Sequence, residues 1–172
     1  DLLDYSQHAL KEPELLPVAL CVCVQTAAKN LDEALQDHDA QLTVGNLPIV
    51  KGNLGQLVQM FQNLIGNAIK YRRDATTPCI SITSVVTNDE TRVLVTDNGI
   101  GIETEFQSQI FGLFKRLHRR EEYPGTGIGL AICKKVIERH GGKISVESSL
   151  EDGSTFCVHF PSDCVVKNPT SP

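Results

Sequence analysis

No uninterrupted apolar run in these 172 residues approaches the length of a membrane span. The longest of interest, VALCVCV from Val18 to Val24, is too short. No signal peptide is visible, so a cytoplasmic domain is expected. Basic charge is not in excess: the formal net charge is -5, which speaks against nonspecific contact with nucleic acid or an anionic membrane. Six cysteines occur, none in a C-x-x-C pair, and Cys21 and Cys23 lack zinc-knuckle spacing and a matching second pair. With Cys79, Cys133, Cys157 and Cys164 they read as buried or half-buried thiols in a reducing compartment. His8, His38, His118, His140 and His159 are scattered singly, so zinc enzyme, serine hydrolase and endonuclease readings lack their parts. What is present is 41% apolar and 22% charged residues, enough for one globular domain with a sizeable core.

The opening DLLDYSQHAL reads as the last turns of a helix that begins upstream, with Leu2 and Leu3 on one face. Pro13 and Pro17 break it and start a linker. Helical spacing continues from Leu20 to Gln36, and Ala40 to Val44 alternates as a strand. Leu54 to Tyr71 is the clearest helix, with a wide apolar stripe and Asn53 as its cap. Strands are expected over Ile80 to Val86 and Thr91 to Thr96, joined by an Asn88-Asp89 turn. A loop with short helical pieces, Gly99 to Gly112, and a charged, mobile stretch from Leu117 to Gly129 follow. A helix over Ile128 to Arg139 ends at Gly141 and Gly142, where His140 simply favours the helix C-terminus. Lys143 to Ser148 and Thr155 to Phe160 form a closing hairpin. This order predicts a two-layer α/β sandwich, one mixed sheet with helices on one face. The expected division is a helix end and linker (1–15), a catalytic domain (16–161) and a flexible C-terminal tail (162–172).

Four segments carry the chemistry. In NLIGNAIKY, Asn63, Asn67 and Lys70 share a face distinct from the apolar stripe. Asparagine is a poor interior helix residue, so two on one face ask for a reason. An amide oxygen can ligate Mg²⁺; Asn67 is the candidate metal ligand, Asn63 lies beside phosphates and Lys70 neutralises them. The plain alternative is a solvated helix face. Tyr71 either closes a base pocket or joins the core. In DNGIGI, Asp97 ends an apolar strand and can accept a hydrogen bond from an adenine amino group. Gly99 and Gly101 would let the backbone turn tightly and approach the ring. A common Asp-Asn-Gly turn is the alternative. In GTGIGLA, Gly125, Gly127 and Gly129 present unobstructed N–H groups ahead of an apolar helix, which suits phosphate. It is neither a dinucleotide fingerprint, which opens a βαβ unit, nor a P-loop, since no Lys-Ser/Thr pair follows. Between the glycine segments, Phe111, Leu113, Phe114 and Leu117 anchor a loop or hinge a lid. Lys115, Arg116, Arg119 and Arg120 reach phosphates or a partner, or are solvated.

In this order the segments resemble the N box, first glycine box, F box and second glycine box of the catalytic ATP-binding domain of sensor histidine kinases. That domain has the Bergerat fold shared with gyrase, Hsp90 and mismatch-repair ATPases. Residues from Phe114 to Ser148 look most like kinases related to bacterial phytochromes and PAS-containing sensors. The resemblance implies ATP and Mg²⁺ as cofactors, with Asn67 on the metal, Asn63 and Lys70 facing the triphosphate, and Tyr71 lining the adenine pocket. It implies adenine recognition by Asp97, aided by Gly101. Gly99, Ile102, Phe114, Gly125, Thr126, Gly127, Gly129 and Leu130 complete the nucleotide set, with Thr155 of GSTF near adenine. Hydrolytic relatives carry a glutamate base where Asn63 stands, which favours phosphoryl transfer to a histidine over hydrolysis. The implied partners are upstream dimerisation and phosphotransfer helices, a response regulator and a second copy in the full protein, with no nucleic acid. A degenerate nucleotide-binding signalling module and a chaperone-like ATP clamp are the competing readings.

Overall fold

The computed structural model describes residues 15–112 and 127–166. The expected opening helix, most of the lid segment and the end of the tail lie outside these residues. Within them the order is β1 (Leu16–Ala19), α1 (Leu20–Asn30), α2 (Asp32–Asp37), β2 (Gln41–Val44), β3 (Ile49–Gly52), α3 (Leu54–Lys70), β4 (Cys79–Val86) and β5 (Glu90–Asp97). Then come α4 (Thr104–Gln107), α5 (Gly129–Arg139), β6 (Lys143–Ser149) and β7 (Gly153–Pro161).

The main sheet runs β2-β4-β5-β7-β6. Only β2 and β4 pair in parallel; the other neighbours are antiparallel. The helices cover one face, as the alternation of strand residues requires. Ile80 and Ile82 of β4, Val93 and Val95 of β5, and Phe156, Val158 and Phe160 of β7 are buried there. Against them α3 lays Leu57, Met60, Phe61, Leu64, Ile65, Ala68 and Ile69. Each large side chain fully buried this way contributes about 1.5–3 kcal/mol. Cys23, Val24 and Ala27 of α1 and Cys133, Val136 and Ile137 of α5 complete the layer. Asn53 caps α3, its Oδ1 accepting the Gln56 N–H at 3.0 Å.

Three expectations change. The helix expected from Leu20 to Gln36 breaks at Leu31, whose N–H is shared by Ala27 and Ala28 carbonyls before a new first turn begins at Asp32 and Glu33. The stretch around Pro17 is a strand rather than a linker: β1 pairs with β3 alone, so the missing proline N–H costs no ladder bond on its open side. The tail does not leave at Pro161. Cys164 is buried, its carbonyl accepts the Lys51 N–H at 2.7 Å, and Val166 N–H reaches Ile49 at 2.8 Å, so residues 162–166 border β3. Among the described residues no helix is long and apolar enough to cross a membrane.

His140 does more than favour a helix end. It is buried, with Nδ1 2.7 Å from the Val136 carbonyl and Nε2 3.0 Å from the Asn53 N–H. A carbonyl can only accept, so Nδ1 donates and Nε2 accepts from Asn53. The ring thereby joins the end of α5 to the start of α3. His140→Ala leaves the Asn53 N–H without its acceptor and opens a void, so it should cost about 2 kcal/mol. Urea unfolding with an unchanged slope and a lower midpoint is the expected result; an unchanged midpoint would refute the tie.

Candidate functional site

The site is built where α3 passes the sheet end of β5. Asn63, Asn67 and Lys70 are half-buried rather than on a fully solvated face. Asn63 faces the start of α5: its Oδ1 lies 3.4 Å from where a Cβ on Gly129 would stand. Its amide lies beside the Cys133 thiol. Burial pushes that thiol up to about 12, the Asn63 amide pulling the other way, so Cys133 is an inert apolar neighbour. Asn63 Nδ2 is buried beside that thiol at the start of α5, and among the described residues no nitrogen or oxygen accepts from it. Gly129, Leu130 and the preceding Gly127 are half-buried at that helix start. Lys70 Nζ sits 4.6 Å from the Tyr71 ring centroid, a cation–π contact that joins the two residues.

Asp97 ends β5 with its side chain on the helix-covered face, opposite Ser154 of β7. Its Oδ1 accepts the Gly99 N–H at 2.8 Å and the Ser154 N–H at 3.3 Å, and among the described residues no donor meets Oδ2. Burial raises the carboxyl above its ordinary range, and these two N–H groups oppose the shift only in part. The glycine turn is closed by protein on both sides. A Cβ on Gly99 would stand 2.5 Å from the Tyr71 carbonyl. One on Gly101, at φ +74°, would stand 1.9 Å from the Ser149 carbonyl. On the side where a Cβ would stand, these glycines serve close approach of backbone to backbone. Ile102 gives its N–H to Ser148 Oγ at 2.8 Å and packs against the core. Phe111 meets Phe156 edge-on at 6.3 Å between centroids, an anchor for the loop.

Thr155 needs correction. It pairs with Thr96, and the two hydroxyls lie 3.0 Å apart on the sheet face turned away from the helices. Side chains alternate along a strand, so the neighbour on the Asp97 side is Ser154. Phe114, Gly125 and Thr126 lie outside the described residues. Histidine isolation in the sequence also does not survive folding: His159 Nδ1 is 3.3 Å from Glu90 Oε2 and its Nε2 3.4 Å from Ser145 Oγ on that outer face. These are long, cross-strand polar contacts away from the site.

Sequence reasoning missed Arg73, Gln107, Ser148 and Ser154. Arg73 Nε donates to the Gly99 carbonyl at 2.9 Å, and its terminal nitrogen to those of Leu150 and Glu151. Gln107 Nε2 reaches the carbonyls of Ile102 at 3.0 Å and Ser148 at 2.8 Å. The two-residue alternation back from the apolar Phe156 could have found Ser154; nothing local marks Arg73.

Residues 52–163 match the family model described as histidine kinase-, DNA gyrase B-, and HSP90-like ATPase. Over 161 residues the chain is 49% identical to cyanobacterial phytochrome A of Nostoc sp., covering 94% of this chain and 21% of that one. The phytochrome-like protein Cph1 of Synechocystis sp. is 42% identical over the same shares. The chain thus spans about a fifth of the length of these relatives. The catalytic domain of histidine kinase ThkA, in a nucleotide-free form, superposes with a TM-score of 0.72 at 27% identity, covering 87% of this chain and 98% of that one.

Proposed function

The chain belongs to the histidine kinase-, DNA gyrase B-, and HSP90-like ATPases, as an ATP-binding catalytic domain of the histidine-kinase kind, and from that premise we propose that it binds Mg-ATP and passes the γ-phosphoryl group to a histidine on upstream helices. The observation that carries the base assignment is Asp97, held by two backbone N–H groups on one oxygen with the other oxygen left to accept an adenine amino proton. The Nδ2 of Asn63, which meets no oxygen acceptor among the described residues, fits a phosphate oxygen, and a neutral amide oxygen from Asn67 fits Mg²⁺, which takes few protein ligands beside phosphate and water. Bound there, Mg²⁺ would neutralise charge on the phosphate oxygens.

In this reading Asn63 orients phosphate and removes no proton from water, because an amide is not a base. Lys70 balances charge between the phosphates and the Tyr71 face. Gly127 and Gly129 admit phosphate oxygens to the start of α5. The wider assembly is a homodimer built through the upstream helices, with a response regulator as the later phosphoryl acceptor.

Calorimetric titration of this domain with ATP, with and without Mg²⁺, tests the reading. Mg-dependent binding is expected, and a folded sample that binds neither form would overturn it. Asp97→Asn gives a sharper check. The raised carboxyl pKa means that ionised Asp97 costs folding stability. That cost is absent below the unfolded-state pKa and grows as pH rises through the folded one. At neutral pH the Asn variant should melt no lower than wild type, yet bind ATP about thirtyfold more weakly, since its amide meets a donor with a donor. A variant that melts lower and binds ATP normally would reverse both assignments.

A further inference from the structure

Arg73 links the two segments that hold Asp97. The first donor to the carboxylate is the Gly99 N–H, and the second is the Ser154 N–H, just past the β6–β7 turn. Arg73 grips both neighbourhoods: Nε on the Gly99 carbonyl, the terminal nitrogen on the Leu150 and Glu151 carbonyls of that turn. The peptide between Gly99 and Ile100 is pinned at both polar ends by one short stretch of chain. Its C=O goes to Arg73 and its N–H to the Tyr71 carbonyl at 2.9 Å. From the other side Ser148 Oγ receives the Ile102 N–H and donates to the Gly153 carbonyl, both at 2.8 Å.

We infer that Arg73 is a positioning residue for base recognition: it sets the spacing between the Gly99 and Ser154 N–H groups and so fixes the direction of the Asp97 carboxylate. This rests on the adenine role proposed for Asp97. A guanidinium is suited to the task because its planar fork can serve several carbonyls at fixed angles, which a single ammonium cannot. The carbonyls on the turn are exposed, so water replaces Arg73 there, and its loss disturbs the geometry of the turn more than the stability of the domain. The effect is confined to the base end, because the helix that carries Asn63 and Asn67 and the helix α5 pack on the core through their own apolar residues.

The test is the ratio of affinities for Mg-ATP and Mg-ITP, which lacks the 6-amino group, in wild type, Arg73→Ala and Arg73→Lys. Inorganic triphosphate is titrated alongside. Wild type should prefer ATP. Arg73→Ala should shrink that preference about tenfold, the worth of one ordinary hydrogen bond, with ITP and triphosphate affinities unchanged. Arg73→Lys should fall the same way; where the alanine variant does not fold, lysine decides alone. A folded variant with the wild-type ratio, or a lysine variant that restores it, overturns the inference and leaves Asp97 untouched. Equal loss of ATP, ITP and triphosphate would also overturn it, as general destabilisation. A wild type that binds ATP and ITP alike would instead remove the adenine role of Asp97, and this inference with it.

Discussion

Asn67→Ala should weaken Mg-ATP binding about a hundredfold, or ~2.7 kcal/mol, and reduce phosphoryl transfer to background in a chain that includes the upstream helices. The fold should survive intact. Asn67 lies inside α3, where alanine is the better helix former by about 0.5 kcal/mol, and its half-buried side chain is not part of the core. Loss of the amide oxygen therefore separates metal binding from stability. Calorimetry with and without Mg²⁺, paired with a melting curve, reads both. A variant that binds Mg-ATP like wild type would sink the metal assignment, and Lys70 with the start of α5 would then carry the phosphates alone.

The second large effect runs through the fold. Gly101→Ala places a Cβ 1.9 Å from the Ser149 carbonyl oxygen and 3.0 Å from the Leu150 Cα, at a φ of +74°. Neither obstacle is a flexible side-chain tip. The left-handed backbone costs about 1 kcal/mol for alanine, and the β6–β7 turn must move to clear the contact. A loss of about 3 kcal/mol is expected, which for a domain of this size lowers the melting temperature by roughly 10 °C. ATP affinity should fall with it even in the folded fraction, because the same turn supplies the carbonyls that Arg73 holds. Scanning calorimetry and ATP titration below the transition check both. A wild-type melting temperature would show that the turn yields freely, and the rigid clasp around Asp97 would have to be abandoned.

Much of the architecture is legible from period alone. The apolar stripe of α3 recurs over seventeen residues, and β4 and β5 alternate over eight each, long enough for burial to follow the pattern. β1 and β3 escaped because four residues with a proline or glycine hold no readable period, and what marks them as strands is their pairing with each other. The same limit hid the packing of residues 162–166, which border β3 from the far end of the chain. Thr155 shows the same limit at short range: with a period of two, a single step along β7 turns a side chain to the opposite face, so Ser154 and not Thr155 stands opposite Asp97.

By itself the sequence determined which chemical groups are available and how they are spaced along an element. Asn63, Asn67 and Lys70 share a face wherever that segment is helical, and the apolar run of β5 stops at Asp97, where DNGIG begins. The family follows from those local patterns in their order. Only the tertiary structure decided what holds them. Asp97 takes its second N–H from a residue 57 positions away, and Arg73 reaches carbonyls 26 to 78 positions away. Periodicity reports on neighbours within a turn or a pleat, whereas these contacts join separate segments through backbone groups that every residue possesses. No residue type announces a carbonyl about to be gripped, so the clasp on the base site becomes visible only once the chain is folded.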